Sequence, residues 1–141
     1  MQRNVDLLRR FMAEVWSRGD LSALDTFIAE SYTVHSDPGD AWEGQTLTRD
    51  GFAQRLQTSR APFPDLRFEI TAMVADGDQV AIGWMMRGTH TAPMGELPAT
   101  GRAIAVQRMT HYEFHEGRIT GHRQVVDRMT VGRQLGLFGG G

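Results

Sequence analysis

Residues 67–126 read as four extended runs divided by short turns, and no other stretch limits the possible folds as strongly. Arg67 to Val74 sets Phe68, Ile70 and Ala72 against Arg67, Glu69 and Thr71, the alternation of a strand with one covered face. Asp76-Gly77 then supplies a hairpin signal. Gln79 to His90 carries Val80, Ile82, Trp84, Met86 and His90 on one side. After a Pro- and Gly-bearing loop at 92–101, Arg102 to Phe114 forms a third strand. Arg118 to Val126 forms a fourth, behind a Glu116-Gly117 turn. Tight turns between successive strands favour an antiparallel meander, because parallel neighbours need long crossovers.

The chain before this meander is helical in pattern. Val5, Leu8, Phe11, Met12, Val15 and Trp16 recur at spacings of three and four, which predicts an amphipathic helix over Arg3–Arg18. Arg18-Gly19-Asp20 ends it, and Asp20 is placed to cap a shorter helix carrying Leu21, Leu24, Phe27 and Ile28. Residues 31–38 are extended and run into a turn at Pro38. Thr48 to Ser59 predicts a third helix, broken by the prolines of Ala61-Pro62-Phe63-Pro64-Asp65-Leu66. Helices first and strands afterwards indicate an α+β domain.

A chain of 141 residues is one domain by size, here 1–136, with 137–141 expected as a flexible tail. Net charge is −2 and no basic cluster occurs, so there is no electrostatic footprint for nucleic acid. No apolar run is long enough to span a membrane and no secretory signal opens the chain, so a cytoplasmic location is expected. Two absences narrow the chemistry. Without Cys there is no thiolate nucleophile or ligand, and without Lys there is no Schiff-base amine, since all 15 cationic side chains are Arg. Asp, Glu, His and Tyr remain for proton transfer.

The C-terminal stretch 117–136 carries Gly117, Ile119, His122, Val125, Val126, Asp127 and Gln134-Leu135-Gly136. In this it resembles the SnoaL-like polyketide cyclase family. The resemblance extends to the Arg18-Gly19-Asp20 opening, His35, Phe63-Pro64-Asp65-Leu66 and Gly88-Thr89-His90-Thr91, and departs from it at Arg123 and Ala92. It implies the fold of nuclear transport factor 2 and ketosteroid isomerase: a cone-shaped, mostly antiparallel curved sheet packed on three N-terminal helices. It also implies a cofactor-independent intramolecular aldol ring closure, with Asp127 as acid–base catalyst. His35 and His90 would then sit at the polar edge of an apolar pocket holding a hydrophobic small molecule. Fold does not settle chemistry. The alternatives are a ketosteroid isomerase-like or epoxide hydrolase-like enzyme, and a non-catalytic binding or dimerisation domain.

The residues themselves leave several assignments open. Asp127 at a strand end is either a desolvated acid–base group or the N-cap of the following helix, Met129 to Leu135. Arg108 falls on the apolar side of the third strand, with Val106, either binding an anionic substrate or snorkelling at the rim. Strict alternation puts Arg123 on the same face as Asp127 and turns His122 away, provided no bulge intervenes. The resemblance implies that Trp84, Met86 and Val106 line the pocket, with Arg108 and Arg123 as further substrate contacts. His111, Glu113 and His115 share the other face of the third strand without a third convergent ligand, so no metal site is expected. The resemblance implies a homodimer paired through the outer sheet face, where Ala81, Gly83 and Met85 could pack against a second copy.

Overall fold

The amphipathic pattern of the N-terminus produces helix α1 (Gln2–Phe11), which runs on as a π-helical turn at Met12–Ser17. Its Leu8, Phe11, Val15 and Trp16 are all buried, as their spacing requires. The computed structural model describes residues 2–138. The helix end is closed from outside: Arg60 donates from Nε to the Trp16 carbonyl (2.8 Å) and from Nη2 to that of Ser17 (3.0 Å). A cation at the open carbonyls of a helix C-terminus satisfies groups that have no partner within the helix.

Helix α2 (Leu24–Phe27) is shorter than expected, and Ile28 already belongs to strand β1 (Ile28–Ser36). Asp20 does not cap it. Its carboxylate accepts from the backbone and hydroxyl of Ser22, closing a local turn ahead of the helix. The short β2 (Thr46–Leu47) precedes helix α3 (Arg49–Arg60), where Thr48 is the N-cap and accepts from the Gly51 amide.

The meander is β3 (Arg67–Asp76), β4 (Gln79–Thr89), β5 (Ala103–His115) and β6 (Arg118–Val126). The six strands form one sheet in the order β2-β1-β6-β5-β4-β3. All neighbours are antiparallel except β1 and β6, which run parallel. The sheet is therefore mixed, and the α+β class holds. A last helix, α4 (Arg128–Gln134), follows β6. The β1–β6 junction is tight: a Cβ on Gly121 would lie 2.5 Å from the Thr33 carbonyl oxygen, so only glycine fits.

Two bulges change which side chains face inward. One in β3 lies between Ile70 and Ala72, so Met73 and Ala75, not Ala72, continue the covered face. The other is in β6, where Phe114 pairs Ile119 but Glu113 pairs Gly121, leaving Thr120 as the extra residue. Ile119, His122, Gln124 and Val126 consequently share the inner side. The inner face packs Val80, Ile82, Trp84, Ile104, Val106 and Tyr112 against α1 and α3. Aromatic edges at Phe11–Tyr112 and Tyr32–Phe52 join the helical and sheet layers.

Candidate functional site

Helix α3 places Arg55 in phase with Phe52 and Leu56, so the guanidinium is carried into the interior and is 3% exposed. A cation there needs partners, and two acids following β1 supply them. Arg55 Nη2 lies 3.0 Å from Asp37 Oδ2 and 3.0 Å from Asp40 Oδ2. Asp37 is completely buried. Its Oδ2 also accepts from His122 Nε2 (2.8 Å) and Gln124 Nε2 (3.0 Å), both delivered by the inner side of β6.

The chain of bonds fixes the tautomer. With Asp37 ionised, His122 donates from Nε2, so Nδ1 accepts from the buried Tyr32 hydroxyl. Both imidazole nitrogens are thus engaged. Gln124 is oriented in the same way: its Oε1 accepts from Thr110, whose hydroxyl accepts from Trp84 Nε1 (2.8 Å each).

Burial alone would raise the pKa of Asp37, but the His122 hydrogen bond and the Arg55 charge outweigh it and hold the carboxyl below its usual range. Burial lowers that of His122 despite the pull of Asp37, so this histidine is neutral near pH 7. For Arg55, burial opposes the charge while Tyr32 and the two aspartates favour it, and the net shift is upward.

Beside this network opens a cavity of about 380 Å³. Apolar side chains dominate its wall: Trp16, Phe63, Met86, Met94, Val126 and Val131, with Leu137 and Phe138 from beyond α4. The polar wall groups include Asp40, Arg55, Arg108, Gln124 and Arg128. Arg108 stacks over Trp84, with Cζ 4.9 Å from the ring centroid, and burial draws its pKa down to about 10. It stays cationic at neutral pH.

The expected site residues divide into two groups. Met86 and Arg108 line the cavity, while Trp84 and Val106 lie buried beneath the wall. His90 is fully buried against Phe63 and bonded to Thr100, away from the lining. His35 and Arg123 require correction: both lie on the outer side of the sheet and pair with Glu113, His35 at 3.1 Å. For Arg123 the Thr120 bulge explains this, because it reverses the phase of β6 relative to Ile119 and exchanges the faces of His122 and Arg123. His35 lies on the exposed side of β1.

Asp127 is also corrected. It is exposed, accepts from the Thr130 amide (3.0 Å) and hydroxyl (2.7 Å), and is the N-cap of α4. The Thr130 hydroxyl and amide bonds lower its pKa, the opposite of a desolvated acid–base group. The tail expectation at 137–141 also changes, since Leu137 and Phe138 help close the cavity, while 139–141 lie outside the described residues. No helix among the described residues is long and apolar enough to cross a membrane.

Asp37, Asp40, Arg55 and Gln124 were not singled out by the sequence. The one available signal was Arg55, a charge in phase with Phe52 and Leu56, which calls for buried acids nearby.

Comparison with known proteins places this architecture. A candidate polyketide cyclase from Acidithiobacillus ferrooxidans superposes with a TM-score of 0.89 at 43% identity, over 94% of each chain. IdmH of Streptomyces antibioticus, also a candidate polyketide cyclase, gives 0.80 at 31% identity over 94% of this chain and 98% of its own. AclR of Streptomyces galilaeus, a candidate hydroxylase, shares the fold at 21% identity, with a TM-score of 0.78 over 97% of this chain and 83% of its own. No curated protein matches. The family model for SnoaL-like polyketide cyclases matches residues 6–135, nearly the whole chain, and the protein belongs to that family.

Proposed function

We propose that the protein closes a ring in a poly-ketone substrate by intramolecular aldol addition, with Asp40 as the acid–base group. The observation that carries this reading is the position of Asp40, the carboxylate among the described lining residues of an otherwise largely apolar cavity. Such a cavity suits a flat hydrophobic molecule with few polar anchors. Asp40 takes a proton from a carbon flanked by two carbonyls. The enolate carbon then bonds to a second ketone carbon of the same molecule, whose oxygen becomes an alkoxide. Asp40 returns the proton to that oxygen, so the step is an isomerisation without redox change.

The conjugated substrate delocalises the enolate charge, and Gln124, held in orientation by Asp37 and Thr110, offers its remaining amide N–H. Arg55 holds Asp40 in place through the ion pair at its Oδ2.

The test is ring closure of an aryl 1,3-diketone bearing a pendant ketone, followed by NMR. Asp40→Asn is expected to lose on the order of 100-fold or more in rate while circular dichroism stays unchanged. Asp127→Asn is expected to keep turnover within a few-fold. A folded Asp40→Asn variant with full activity overturns the assignment.

One observation favours a second reading. Asp37, Arg55 and Asp40 form two carboxylates with an arginine between them, the set that epoxide hydrolysis by a bound water needs. Diol formation from cyclohexene oxide, without ring closure of the poly-ketone, would select it.

A further inference from the structure

The charges around the cavity do not balance internally. Arg55, Arg108 and Arg128 face it from α3, β5 and the start of α4. The acids beside them, Asp37 and Asp40, are both bound by Arg55, and Asp37 Oδ1 also lies 3.8 Å from Arg128 Nη2. Arg128 is half exposed and its Nε donates to the Pro38 carbonyl. Among the described residues Arg108 has neither an ion pair nor a side-chain hydrogen bond, and its Nε is buried without a partner. A desolvated guanidinium without a counter-ion is costly, and stacking on Trp84 offsets only part of that cost.

Among the described residues, Asp37 Oδ1 and His90 Nε2 are also buried without a hydrogen-bond partner but belong to residues off the wall. The unpaired groups of the lining residues are of one kind. Trp16 Nε1, Arg55 Nε and Arg108 Nε are buried donors without acceptors, and all belong to residues that line the cavity. A ligand that completes the site must therefore bring acceptor oxygens, preferably anionic ones. A carboxylate accepts only, carries one negative charge and matches the planar fork of an arginine. An ester of the same skeleton keeps the shape but loses the charge.

We propose that the ligand of this cavity is a polycyclic or aromatic carboxylate, its acid group held by Arg108 with Trp16 beside it. This rests on the cavity being the substrate site of the proposed cyclase, and it names the substrate class as free acids rather than esters. The flat ring system lies against Met86, Phe63 and Val131, and the carboxylate occupies the end beneath which Trp84 supports Arg108.

Anthraquinone-2-carboxylate and its methyl ester distinguish the possibilities, with binding read from tryptophan fluorescence and calorimetry on the full chain. The acid is expected to bind about tenfold or more tightly than the ester. Arg108→Met is expected to abolish the preference, bringing acid and ester to similar affinity. Equal binding of acid and ester to the unaltered protein overturns the proposal, and that comparison needs no variant to fold. An acid preference that survives in folded Arg108→Met also overturns it. Because binding is read without turnover, a protein that prefers the acid but closes no ring refutes the cyclase reading alone. One that cyclises but binds both equally refutes the carboxylate alone.

Discussion

Two aspartates follow the C-terminal ends of the neighbouring parallel strands β1 and β6: Asp37 after Ser36, and Asp127 after Val126. One is fully buried, with three donors converging on a single oxygen. The other turns outward and caps α4 through Thr130. Both are shifted below the usual carboxylate range, for different reasons. Asp37 must overcome burial with His122 and Arg55, whereas Asp127 is lowered by two local hydrogen bonds. A depressed pKa therefore does not identify a functional carboxylate. Its partners and its solvent access do.

The sharpest test of this contrast is stability. Asp37→Ala removes one of the two acids that pair with Arg55 and the shared acceptor for His122 and Gln124, and a loss of about 3–5 kcal/mol is expected in denaturant unfolding. A loss below about 1 kcal/mol, the level of an exposed ion pair, would show that the buried network is not the organising feature of the fold.

The next effect is on pH dependence. His122 has a folded pKa below its unfolded value, so the unfolded chain binds its proton first. Its contribution is complete above the unfolded value of about 6.5 and declines as pH falls below it, by at most about 1.4 kcal/mol per pH unit. Asp37 adds a second acid loss at lower pH: its contribution is present above the unfolded carboxyl value and lost as pH falls through the depressed folded one. Thermal melts between pH 8 and pH 5 check the first window. His122→Gln should flatten the slope there, and an unchanged slope would assign it to another group.

The smallest effect belongs to the other aspartate. Asp127→Ala removes one cap from a short exposed helix, and a melting shift of only a few degrees is expected, with ring closure retained. If Asp127→Ala matched the loss of Asp37→Ala, the division between buried network and surface cap would fail.

Much of the fold was readable without coordinates. The spacing of Leu8, Phe11, Val15 and Trp16 gave α1, Thr48 marked the start of α3, and Asp76-Gly77 marked the β3–β4 hairpin. These signals are local, depending on a helical turn or a strand pleat. The site was less legible. Met86 and Arg108 line the cavity, whereas His35, Arg123 and Asp127 lie outside it. The reasons differ: His35 lies on β1, Asp127 caps α4 beyond the end of β6, and only Arg123 lies on β6 itself. Period-two reasoning along β6, which placed Arg123, holds only until an extra residue enters the pairing, and Thr120 enters it with the adjacent Gly121 as the one local signal.

The sequence by itself determined the α+β class, the order of elements and the absence of thiol and amine chemistry, because each follows from residue type and short-range periodicity. Only the tertiary structure decided which polar groups meet. Asp37 gains Arg55 from 18 residues away, His122 from 85 and Gln124 from 87. Such partners are brought together by packing α3 and β6 against the end of β1. The charge state of a buried group is set by those partners rather than by its neighbours in the chain.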